Sequence, residues 1–123
     1  MLLLDTHVLI WFSAGSQLLS RVARAAIESA DNRLFLSAVT AWEYSDLLAR
    51  GRIGPIGAID TLRDALEFAV LDFPADLWRR AADLPPLHRD PVDRMLVAHA
   101  MVGDFTLVTA DETIRRYPVK TLW

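Results

Sequence analysis

Short, largely apolar segments alternate along this chain with longer stretches of helical spacing. Met1–Leu4, Leu34–Leu36, Ala69–Leu71, Phe105–Val108 and Val119–Leu122 read as strands. His7–Ser13 is apolar almost throughout and predicts a helix ending near Ala14-Gly15-Ser16. Ser20 is placed to cap a helix over Arg21–Ala30, with Val22, Ala23, Ala26 and Ile27 on one face. Ser37 is placed to cap a helix running to about Arg50, where Gly51 suits the position beyond its end. Ala58–Phe68 and Ala75–Leu84 also have helical spacing; Gly54-Pro55-Ile56-Gly57 is a turn before the first, and Pro85-Pro86 stops the second. Pro91–Val102 is the clearest late helix, and Asp111–Arg116 predicts a short one. Strands alternating with helices predict an α/β fold with a largely parallel sheet covered on both faces.

Against this pattern, four acidic residues are out of place as ordinary surface charges: Asp5, Glu43, Asp93 and Asp111. Asp5 stands between Met-Leu-Leu-Leu and Thr-His-Val-Leu-Ile-Trp-Phe, and Asp111 ends Thr-Leu-Val-Thr-Ala-Asp. In parallel sheets functional groups gather beyond the C-terminal ends of strands, where Asp5 and Asp111 fall. Glu43 and Asp93 lie early on helices that can face the same edge. A carboxylate near a core is costly unless a positive charge compensates it. No lysine neighbours any of the four in sequence, so a divalent metal is the economical partner. Hard cations such as Mg²⁺ favour oxygen ligands, and such ions assist phosphodiester cleavage.

Each acid also has a purely structural reading. Asp5 and Asp111 can cap the helices that follow them. Glu43 can be a surface residue beside an Asp46–Arg50 pair. In Asp90-Pro91-Val92-Asp93, Asp90 reads as an N-cap, Pro91 as the first helical residue, and Asp93 as an acid favoured in the first turn. Taken jointly, these readings are weaker than a shared site.

Composition narrows the choice. With 123 residues and 53% apolar content the chain is expected to be a single domain, 1–123, with a substantial core. The apolar surplus fits a surface covered by a partner. The absence of cysteine removes disulfides and thiolate sites. No apolar run approaches the ~18 residues of a membrane span, and Asp5 interrupts the N-terminus too early for a signal peptide, so the expected location is cytoplasmic. The net charge of −3 looks unfavourable for a nucleic-acid partner. Setting the four acids aside, however, leaves twelve acids against thirteen basic residues, twelve of them arginine. Arg89 and Arg94, flanking the Asp90–Asp93 turn, are the expected phosphate contacts. His7, His88 and His99 lack metal-ligand spacing, and there is no nucleophile elbow, dinucleotide fingerprint or P-loop. A phosphatase-like acidic site would need an Asp-x-Asp or a partnering lysine, and neither is present. A binding module with structural acids is the rival from another class.

At these residues the chain resembles the PIN-domain ribonucleases, specifically the VapC-type toxins of type II toxin–antitoxin systems. The resembling segments are Leu-Leu-Leu-Asp5-Thr6-His7, Ser37-Ala-Val-Thr-Ala-Trp42-Glu43, Leu107-Val-Thr109-Ala-Asp111 and, most specifically, His88-Arg89-Asp90-Pro91-Val92-Asp93-Arg94. The resemblance implies a three-layer α/β/α sandwich and Mg²⁺- or Mn²⁺-dependent endonuclease activity on RNA. It also implies neutralisation by a cognate VapB-like antitoxin, and a homodimer or a toxin–antitoxin hetero-oligomer. It assigns Asp5, Glu43, Asp93 and Asp111 as metal-binding and catalytic, with Asp90, Thr6 and Thr109 in support. One departure stands out: relatives commonly carry a lysine where this chain has Leu47, and Asp46 is an acid where an apolar residue is usual.

Overall fold

The computed structural model describes residues 1–123. Five strands, β1 (Leu2–Leu4), β2 (Leu34–Ser37), β3 (Ala69–Leu71), β4 (Thr106–Val108) and β5 (Thr121–Leu122), form one sheet in the order β3-β2-β1-β4-β5. Every pairing is parallel. Six α-helices connect them: α1 (Thr6–Ser13), α2 (Arg21–Glu28), α3 (Ala38–Ala49), α4 (Ile59–Leu66), α5 (Leu77–Asp83) and α6 (Pro91–Val102). The expected α/β architecture is thus observed. The predicted helix at Asp111–Arg116 is only a 3₁₀ turn over Ile114–Arg116, because Asp111 accepts the first free backbone N–H groups and Pro118 follows.

The strand alternation divides the interior into two cores. Leu2, Leu4, Leu34, Leu36 and Val108 point to one side, against Val8 and Leu9 of α1, Ala23 and Ile27 of α2, and Tyr44 of α3. Leu3, Phe35 and Leu107 point to the other, against Leu96, Val97 and Ala100 of α6, with Phe105, Ile114 and Tyr117. Strands apolar on both faces are what a doubly covered parallel sheet requires. Burying each such leucine contributes about 1.5–3 kcal/mol.

Local signals set the helix ends. Ser20 accepts from the Ala23 N–H, Ser37 from the Val39 N–H and Asp90 from the Val92 N–H, so these three predicted caps are made by their side chains, whereas Asp5 stands at the start of α1 without a side-chain cap bond. Gly51, just past α3, adopts φ +64°, a left-handed conformation that glycine takes without strain. Tyr44 is fully buried and donates to the Gly57 carbonyl (2.6 Å), tying α3 to the segment before α4. No helix is long and apolar enough to cross a membrane.

Candidate active site

The strand order reverses at β1: the chain builds outward to β2 and β3, then returns to place β4 on the other flank of β1. This is a topological switch point, where a parallel sheet opens a crevice beyond its strand ends. Asp5 follows β1 directly, and Thr109 and Asp111 follow β4. The Asp5 N–H donates to the Val108 carbonyl (3.1 Å), carrying the ladder to the crevice. Glu43 arrives on α3, which continues directly from β2, and Asp93 arrives on the first turn of α6.

Asp5 is 5% exposed. Burial raises its pKa from the ordinary 3.8, opposed by the 2.6 Å hydrogen bond donated by the Thr109 hydroxyl. Thr109 therefore orients a carboxylate, and Thr6 is buried beside it at the start of α1. Asp93 is pushed up from 3.8 to about 7 by burial, then by the charges of Asp5 and Asp90, with Glu43 adding to the effect. The neighbouring His88 works in the opposite direction and lowers it. Glu43 itself is half-buried on the second turn of α3.

Asp111 is held differently. Its Oδ1 accepts the N–H groups of Thr113 (2.7 Å) and Ile114 (3.0 Å), so the capping role is real. Its Oδ2 lies 2.9 Å from His88 Nε2. Burial pushes Asp111 up, but the His88 hydrogen bond and these N–H groups outweigh it and leave the carboxyl below its ordinary range. His88 Nε2 is also 3.2 Å from Asp93 Oδ2. Burial disfavours charge on His88, yet the Asp111 hydrogen bond and the charges of Asp93, Asp111 and Asp90 prevail, so its pKa is raised.

Sequence reasoning missed His88, because its approach to the acids crosses a loop and leaves no helical spacing to read. The available signal was its position in the His88–Arg94 segment. Asp90 is chiefly the exposed N-cap of α6. Arg94 is engaged within the protein. Its guanidinium donates to the carbonyls of Ala81 (2.8 Å), Leu84 (3.0 Å) and Pro85 (3.0 Å), closing the end of α5. From the start of α6 the side chain reaches the carbonyls at the end of α5, where Pro85 and Pro86 have no N–H to donate. Arg89 is exposed beside His88. Asp46 forms the i,i+4 pair with Arg50 and is a surface residue.

The donor set fits a hard divalent cation: Asp5, Glu43 and Asp93 bring carboxylate oxygens, and no lysine or arginine is paired with any of the three. One turn before Glu43, the buried Thr40 hydroxyl has no hydrogen-bond partner, an unmet polar capacity near that acid in sequence.

A parallel sheet with acids gathered at its switch point is the layout of a PIN domain, and the chain belongs to the PIN domain family, whose model matches residues 2–120. Ribonuclease VapC22 from Mycobacterium tuberculosis is 34% identical to it, over 98% of this chain and 97% of that protein. Among solved structures, a toxin–antitoxin complex from Klebsiella pneumoniae aligns with a TM-score of 0.71 at 20% identity, over 100% of this chain and 97% of the other. VapC20 from Mycobacterium tuberculosis, a sarcin–ricin loop cleaving toxin, aligns with a TM-score of 0.69 at 18% identity, over 94% of this chain and 93% of its own. At those identities the two structures speak for the fold.

Proposed function

We propose that this protein is a metal-dependent endoribonuclease toxin that cleaves RNA phosphodiester bonds and is neutralised by a cognate VapB-like antitoxin. The observation that carries the reading is the run of contacts from Asp5 through Thr109 and Asp111 to His88 and Asp93 beyond β1 and β4, in a chain related over nearly its whole length to a ribonuclease. Asp5, Glu43 and Asp93 would hold Mg²⁺ or Mn²⁺, with Asp111 completing the acidic site. Such a cation supplies Lewis acidity toward the phosphodiester and a more acidic water.

The chain's own residues do the rest. The Thr109 hydroxyl keeps one oxygen of Asp5 fixed. The backbone N–H groups of Thr113 and Ile114 fix Asp111. Arg89, exposed four residues before Asp93, would contact the RNA backbone. Substrate selection would follow from unpaired bases and groove shape. The exposed apolar side chains Trp42, Trp78 and Val102 support a partner-covered surface, for the antitoxin or a second copy of the chain. A single domain working in the cytoplasm completes the reading.

The test is RNA cleavage by purified protein with added Mg²⁺ or Mn²⁺, comparing wild type with Asp5→Asn and Asp93→Asn. Cleavage should require the cation and vanish in both variants. Metal-independent cleavage, or undiminished cleavage by Asp5→Asn, would overturn the assignment.

A further inference from the structure

His88, Asp93 and Asp111 bring one nitrogen and two carboxylates within 4.8 Å of one another, a spacing that invites assignment of all three as metal ligands. The hydrogen bonds around the ring argue otherwise. The Asp90 backbone N–H donates to His88 Nδ1 at 3.1 Å, so Nδ1 presents its lone pair and the ring proton resides on Nε2. Should the ring become an imidazolium, Nε2 still carries a proton. In either charge state Nε2 is a donor to Asp111 Oδ2 (2.9 Å), with Asp93 Oδ2 beside it at 3.2 Å. A ligating histidine shows the reverse arrangement, with its second nitrogen donating to an acceptor.

The geometry points to His88 as a positioning residue: a hydrogen-bond donor to Asp111 whose ring nitrogen also sets the place of the Asp93 carboxylate by close electrostatic contact, outside the metal's own ligand set. This rests on the metal-dependent reading above and adds a residue that it does not use. The loop is built to hold the ring still. The His88 backbone N–H donates to the Tyr117 hydroxyl (2.9 Å), and that hydroxyl donates to the Pro85 carbonyl (2.9 Å). Arg94 grips the Pro85 carbonyl from the other side. Asp111, anchored by two backbone donors, then fixes where Nε2 lies, and Asp93 is the remaining acceptor. Such outer partners typically change metal affinity by about 10–100-fold.

Three measurements decide it. Long-range ¹H–¹⁵N correlation on the wild-type protein reads the ring directly and should show the proton on Nε2, with or without Mg²⁺. A ring protonated on Nδ1 alone would overturn the proposal, whether or not the protein proves to be a nuclease. Mn²⁺ titration should show His88→Ala weakened by about 10-fold or more, and His88→Gln, which keeps a donor near Nε2, largely restored. Electron spin echo of the Mn²⁺ complex should show no histidine nitrogen coupled to the ion. Equal affinity in wild type, His88→Ala and His88→Gln, or a nitrogen coupling lost in His88→Gln, would overturn the proposal and leave the nuclease reading standing. Failure of the wild type to bind Mn²⁺ or Mg²⁺ would overturn both.

Discussion

Asp93 is the residue whose removal should have opposite consequences for stability and for metal binding. In the folded protein its pKa stands at about 7, against 3.8 in an ordinary setting, through burial and then the charges of Asp5 and Asp90. Because the folded pKa is raised, the native state holds the proton more tightly than the unfolded chain does. The associated stability is fully present below about pH 3.8 and is lost as pH rises toward 7. At ~1.4 kcal/mol per tenfold change in proton affinity, the ceiling is roughly 4 kcal/mol. The side chain is 20% exposed and its acidic neighbours titrate with it, so screening reduces the expected effect to about 1–2 kcal/mol.

Asp93→Asn keeps the shape and removes the charge, so without cation it should be more stable than wild type at pH 8. For a chain of this size the gap corresponds to a melting temperature roughly 5 °C higher. At pH 5, about a third of the way from 3.8 to 7, the gap should shrink to about a third. The assay is thermal unfolding in chelator at both pH values, repeated at pH 8 with Mn²⁺. Cation at 100 times its dissociation constant should stabilise wild type by about 2.7 kcal/mol and leave Asp93→Asn unmoved. The reasoning fails if the variant is no more stable than wild type at pH 8, or if the gap is the same at pH 5.

Thr109→Val removes the buried 2.6 Å donor to Asp5 and should cost about 1.5–3 kcal/mol in chemical denaturation while weakening Mn²⁺ binding. Arg94→Ala should destabilise by a similar ~1.5–3 kcal/mol, since its guanidinium serves backbone carbonyls, and should leave the salt dependence of RNA binding unchanged. Arg89→Ala should do the converse, weakening RNA binding with a shallower salt slope and an unaltered melting temperature. Gly103→Ala should destabilise markedly in thermal unfolding, because an added Cβ would lie 2.1 Å from the Phe105 ring.

The sequence by itself determined the elements and their order, because each is set by local chemistry. Three-residue apolar runs such as Leu2–Leu4 cannot be helices, and Ser20, Ser37 and Asp90 mark helix starts through bonds spanning two or three residues. It also singled out Asp5 and Asp111, since an acid just past an apolar strand is conspicuous without coordinates, and Glu43 and Asp93, acids set early on largely apolar helices. What those acids do to one another was decided only by the tertiary structure. Thr109 meets Asp5 across 104 positions, His88 meets Asp111 across 23, and Arg94 reaches back 13 residues to the Ala81 carbonyl. Nothing local encodes those pairings, which depend on β4 lying beside β1 and on a proline-bounded loop folding over the crevice. Arginine looks the same in sequence whether its donors meet a phosphate or a helix end. A histidine likewise gives no sign of which nitrogen carries its proton until the Asp90 N–H is seen to face Nδ1.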